Sequence, residues 1–276
     1  MKPSYPHLVF GGGGTRCFWH GGFLTTIAPS LPPTEAISAV SGGALSALAH
    51  VTGQEERLLA LMSRAFREAK RNGGNISLQR WLSDGDLLVH QDLYRAVVMD
   101  LMSAPSAVAA VAEGPAFTVH LARPGLLGIV PTMLAYAIEV PLRGTPHVRF
   151  ASALGARPLA VDARQAARDG RIVDLTVAAA SSRPVFAAQQ WDGAVVMDGG
   201  VLDNAPCADR GPQLVLVTRP YRNLPTVAGR TYAAPSRKIE TFKLDFTDAD
   251  GIAAAWSLGE EDGRAWLDDL HVAGRA

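Results

Sequence analysis

The chain has 276 residues, 48% of them hydrophobic, enough for a sizeable core in one or two domains. Its 26 basic and 26 acidic residues balance, which speaks against a nucleic-acid partner. Its two cysteines, Cys17 and Cys207, make neither a disulfide framework nor a metal-ligand spacing, so no metal or cofactor is expected.

The opening stretch MKPSYPHLVFGGGG lacks the apolar core of a signal peptide. No run of 18 or more apolar residues follows, so no spanning helix is expected. The expected setting is cytoplasmic, with peripheral membrane contact at most.

His7 to Phe10 reads as a first strand, which runs straight into Gly11-Gly12-Gly13-Gly14-Thr15-Arg16. A glycine run between strand and helix lets backbone amides approach an oxygen anion without side chains in the way. A phosphate loop would need Gly-Lys-Ser/Thr at its end, which is absent. A dinucleotide loop would need a glycine where Arg16 stands and an acid after the second strand, and neither is present. An oxyanion hole remains, against the plainer reading of a flexible loop.

Ala36 to Val40 reads as a short buried strand, followed by Ser41, Gly42, Gly43 and an Ala/Leu-rich helix. This is the layout of a nucleophile elbow, with Ala39 in place of the first glycine of G-x-S-x-G. The plain alternative makes Ser41 an ordinary helix N-cap.

Glu55 to Lys70 is an amphipathic helix with Leu58, Leu59, Met62 and Phe66 on one face, ended by Asn72-Gly73-Gly74. Asp84-Gly85 marks a turn, and Asp92 caps a helix carrying Val97, Val98 and Leu101. Ser103 to Gly114 is too alanine-rich to assign. Phe117 to Leu121 reads as a strand. Gly125 to Ile138, GLLGIVPTMLAYAI, is too short to span a bilayer and reads as a buried helix, with a lipid-facing flap as the rival.

His147 to Leu154 and Pro158 to Asp162 read as strands, and Ile172 to Ala180 as a buried helix. In VVMDGGVLDNAP, Asp198 ends an apolar strand and faces Gly199 and Gly200, a position suited to work beside another strand-end residue. The plain alternative is an Asx bond closing a turn. Leu214 to Val217 is a further strand stopped by Arg219-Pro220, and Phe242 to Phe246 alternates like an edge strand. Asp248 or Asp250 caps a helix through Trp256, and Glu260 to Val272 forms a last one. No low-complexity linker or repeat divides the chain, so one continuous α/β domain over 1–276 is expected.

Three stretches then stand together. GGGGTRCFWHGGF resembles the glycine-rich oxyanion segment of the patatin-like phospholipase family, AVSGG its nucleophile motif, and VMDGGVLDNAP its D-G-G/A motif. The resemblance implies a three-layer α/β/α fold with a mostly parallel central sheet. It implies Ser41 as nucleophile and Asp198 as its dyad partner. Gly12, Gly13 and Gly14 match the oxyanion donors, and Arg16, Gly43, Gly199 and Gly200 are motif-associated. It implies a lipid or acyl-ester substrate. Two departures stand out: Cys17 occupies the place of the closing glycine, and Ala39 that of the first elbow glycine.

The chemistry is coherent. A serine is inert until a base takes its proton during attack, and burial is what strengthens a lone carboxylate as that base. Two rivals are an α/β-hydrolase triad completed by His271 and a catalytically silent lipid- or partner-binding module.

Overall fold

The computed structural model describes residues 5–73, 90–125, 128–181, 186–187, 189–208 and 211–273; of Pro141 and residues 270–273 it describes the backbone alone. The expected turn at Asp84-Gly85 lies outside these residues, as does the side chain of His271.

A mostly parallel sheet forms the centre, with helices flanking it. Its strands are β1 (His7–Phe10), β2 (Ala36–Val40), β3 (Ala116–Arg123), β4 (Arg157–Asp162), β5 (Gln189–Trp191), β6 (Ala194–Asp198), β7 (Gln213–Leu216) and β8 (Arg230–Ala233). They run in the order β5-β6-β3-β2-β1-β7-β8, with β4 also paired to β3. The β1/β2, β1/β7, β2/β3 and β7/β8 pairs are parallel; β3/β4, β3/β6 and β5/β6 are antiparallel.

Strands β1 and β7 read as apolar runs because both of their faces are covered. Leu8, Phe10, Leu214 and Leu216 join the main core, while Val9, Val215 and Val217 join a smaller cluster.

The helices are α1 (Phe18–Ile27), α2 (Gly42–Val51), α3 (Glu55–Arg71), α4 (His90–Leu101), α5 (Pro105–Glu113), α6 (Ile129–Arg143), α7 (Phe150–Ala153), α8 (Ala163–Arg168), α9 (Ile172–Ala179) and α10 (Ala249–Ala273). The unassigned alanine-rich stretch is thus helix α5. Asp92 lies in the first turn of α4, which begins at His90.

Four expectations are corrected. His147 to Leu154 is no strand: Glu139 accepts hydrogen bonds from the Arg149 and Phe150 amides and thereby starts α7. Phe242 to Phe246 turns rather than extends, because the Asp245 amide donates to the Phe242 carbonyl. The last two helices are one, α10, which Asp248 caps by accepting from the Gly251 amide. Gly259 does not break it, because α1 lies so close there that a Cβ would sit 2.3 Å from the Trp19 carbonyl. Finally, α6 is not a buried helix: Val130, Leu134, Ile138 and Leu142 are exposed.

No single described helix is long and apolar enough to cross a membrane. Helices α4 and α5 together pass that test on composition, but they meet at 87°. Val98, Leu101 and Val111 on them are buried in the core.

Candidate active site

Register explains how two distant turns meet. Strand β2 runs along one edge of β3 until Val40 opposite His120. Strand β4 occupies the other edge. Where β2 turns off at Ser41, β6 takes over the vacated edge, with Asp198 opposite Leu121. Ser41 and Asp198 therefore follow one another on neighbouring positions of the same β3 edge. Gly199 makes the handover feasible, since a Cβ there would lie 2.3 Å from the His120 carbonyl.

Ser41 has φ 56° and ψ −140°, a region that costs a non-glycine residue roughly 1–3 kcal/mol. It occupies the N-cap position of α2, yet its side chain makes no capping bond, which removes the plain reading of this serine. Gly43 lets α2 sit directly on the end of β1, where a Cβ would meet the Phe10 and Gly11 carbonyls at 2.5 Å. Ala39 is fully buried in the core.

Asp198 is 8% exposed and caps a single 3-10 turn, Gly199–Val201. Its Oδ1 accepts from the Gly200 amide at 2.8 Å, so the Asx bond exists alongside the position facing Ser41's turn.

The glycine loop is held at the two peptides that flank Gly12. The Gly12 amide donates to the Asn204 carbonyl at 3.0 Å. The Gly12 carbonyl accepts from Thr218 Oγ1 at 2.8 Å and from Asn204 Nδ2 at 3.1 Å. A trans peptide points its N–H opposite to its C=O, so this clamp fixes the direction of the Gly13 amide. The Gly12 amide is thus engaged, whereas those of Gly13 and Gly14 have no hydrogen-bond partner among the described residues. Gly12 is close enough to Ser41 that a Cβ would lie 2.9 Å from the serine Cβ. Asn204 and Thr218 were not singled out from sequence; Asn204 stood inside the quoted VMDGGVLDNAP, and Thr218 immediately before Arg219-Pro220.

Cys17 donates its thiol to the Gly11 carbonyl at 3.6 Å. Burial, and then the charge of Asp198, push its pKa up, so it stays protonated. Arg16 Nε donates to the Thr241 carbonyl at 3.0 Å; burial and then Arg219 lower its pKa. Lys243 lies over the Tyr136 ring, its Nζ 5.6 Å from the centroid, with its pKa lowered chiefly by burial.

One cavity joins these parts. Gly12, Gly13, Gly14, Ser41 and Asp198 line it, with Arg16, Arg219 and Lys243. Its apolar wall is Leu58, Met62 and Phe66 of α3 with Phe186 and Phe246. The Phe66 and Phe246 centroids are 5.5 Å apart, those of Phe186 and Phe246 5.8 Å. Tyr94 also lines the cavity and carries a buried hydroxyl with no hydrogen-bond partner among the described residues.

A family model for patatin-like phospholipases matches residues 8–209. The chain belongs to the patatin-like phospholipase family. Membership makes it a relative of enzymes that act on lipid esters, and all three motif stretches fall within the matched residues. Among solved structures, VipD from Legionella pneumophila resembles it with a TM-score of 0.48 and 10% identity, over 97% of this chain and 67% of that one. No curated protein matches the chain.

The described histidines sit in different environments. His20 is buried against Phe10 and Trp19, and burial lowers its pKa to about 3. His50 pairs with Glu55 at 2.9 Å, and His147 with Asp203 and Tyr232. Among the described residues no group of three or more metal-ligating side chains converges.

Proposed function

We propose that the chain hydrolyses carboxylic esters of phospholipids or related lipids through a Ser41–Asp198 dyad and an acyl-enzyme. Ser41 Oγ attacks the ester carbonyl while Asp198 takes its proton directly. The Gly13 and Gly14 amides receive the negative charge of the tetrahedral intermediate, with Gly12 as the held residue that aims them. The acyl chain lies against Met62, Phe66 and Phe246, and the alcohol leaves with the proton Asp198 returns. Water then attacks the acyl-serine, again assisted by Asp198.

The observation that carries this reading is the strained Ser41 elbow, continued on the same β3 edge by Asp198 and opening into one cavity. A triad reading would rest on His271, whose side chain lies outside the described residues.

The test uses a chromogenic short-chain ester and a fluorophosphonate label. Wild type turns over and labels. Ser41→Ala and Asp198→Asn each lose about a thousandfold or more of the turnover, and Ser41→Ala also loses the label. Full turnover in Asp198→Asn with loss in His271→Ala would replace the dyad by a triad. Absence of turnover and label in wild type would leave a silent binding module.

A further inference from the structure

Ten large hydrophobic side chains are exposed among the described residues, and six of them fall between positions 130 and 154. Such clustering asks for an explanation that scattered exposure does not. Val130, Leu134, Ile138 and Leu142 recur every four residues along α6 and are 55–70% exposed. That spacing makes one stripe about 18 Å long on the helix surface. Ala137 beside it is also exposed. Phe150 and Leu154, at and just beyond α7, add to the patch.

No charge breaks the stripe. The helix has one carboxylate, Glu139, and it is fully buried. It accepts from the Arg149 and Phe150 amides and from Arg143 Nη1. The basic groups sit at one end: Arg143 in the last turn, Arg149 beyond it, and Arg222 against Gly144.

The opposite face of α6 carries Met133 and Tyr136, which line the cavity shared by Ser41 and Asp198. The helix is therefore a wall one helix thick between the candidate site and the exterior. Glycines with positive φ bound it, Gly128 at 89° and Gly144 at 58°.

We infer that α6 docks on a phospholipid bilayer, with its outer stripe among the acyl chains and its basic end at anionic headgroups. The stripe covers roughly 400 Å², about half of what each partner buries in a stable protein interface, so a second copy of the chain is the poorer occupant. A helix with one apolar face and basic flanks lies in the interface plane of a bilayer without any such area requirement. Its inner face then stands where a lipid ester leaves the bilayer for Ser41. This last point rests on the lipid-hydrolase reading; the docking surface itself does not.

The test is co-sedimentation of the full chain with vesicles of equal parts phosphatidylcholine and phosphatidylglycerol. Leu134→Gln/Ile138→Gln is compared with wild type, with short-chain ester turnover and thermal melting measured in parallel. Wild type binds, and the double variant binds at least about tenfold more weakly at unchanged melting temperature and turnover. Failure of wild type to bind, or equal binding by the variant, overturns the inference. So does a wild-type dimer in size exclusion that the variant dissolves. Stripe-dependent binding in a chain whose ester turnover survives Ser41→Ala would sink the hydrolase reading and leave the docking surface standing.

Discussion

Ser41 is held in an unfavourable backbone conformation, and the surroundings that hold it are mostly backbone: the glycine loop on one side and the end of β1 on the other. Side chains enter at the Gly12 carbonyl, clamped by Asn204 and Thr218. If these two residues aim the Gly13 amide, removing them loosens an oxyanion donor without touching substrate. Asn204→Ala and Thr218→Val should each lower kcat for a soluble ester by about ten- to a hundredfold, a partial loss of one donor, with KM little changed. A rise in KM at constant kcat would instead make them substrate contacts. The residues proposed to carry the chemistry were legible because glycine, serine and aspartate at strand ends have few reasons to recur in that order. Asn204 and Thr218 were not, because their partner is a carbonyl about 200 residues away, which no local pattern encodes. Cys17 fits without a closing glycine by donating a hydrogen bond from its thiol to the Gly11 carbonyl.

The elements that were misread share a cause: a tertiary partner overrides the local pattern. His147 to Leu154 has the composition of a strand, but the buried Glu139 carboxylate supplies the amide acceptors that begin α7. Helix α6 has the composition of core, yet its outward face is bare, so apolarity alone did not distinguish a buried helix from an exposed one. The strands β1 and β7 were legible because burial on both faces leaves each a single polar residue, and β2 because only Ser38 interrupts its small and apolar run. Strands β5 and β8 were not, being short and half-polar. Glu139 gives the α6–α7 corner a pH signature. Burial by itself would raise its pKa; the Phe150 amide, Arg143 and the Arg149 amide outweigh this and hold it below the usual glutamate value. A lowered folded-state pKa means stability that is present at neutral pH and lost as pH falls below the ordinary glutamate range. Glu139→Gln, which can accept only from one end, should cost about 1–3 kcal/mol at pH 7. The melting-temperature gap between wild type and variant should close as the pH is taken from 7 towards 3. A gap independent of pH would mean that shape, not charge, is what Glu139 contributes.

At the scale of the whole molecule, the family-matched residues and the folding unit differ. The match ends at position 209, but β1 lies between β2 and β7, so a chain stopped there turns an interior strand into an edge. It would also uncover α1, against which α10 packs through Gly22, Gly259 and Gly263. Trp19 would lose the hydrogen bond from its indole to Asp262 at 2.7 Å. The cavity would lose Thr218, Arg219 and Lys243. Strand β1 is paired on one side with nearby β2 but on the other with β7, some 200 residues on, so closing the sheet waits on a contact that only the last quarter supplies. A fragment of residues 1–209 should therefore keep all three motifs and neither melt cooperatively nor label with fluorophosphonate. Circular dichroism on heating and size exclusion read the first expectation, and gel fluorescence the second. Adding back residues 210–276 as a separate chain should restore labelling in part, because the missing strand and helix can dock on a surface that is otherwise complete. A cooperative melt and full labelling by the fragment alone would show that the motifs carry their own fold, and that β7, β8 and α10 only decorate it.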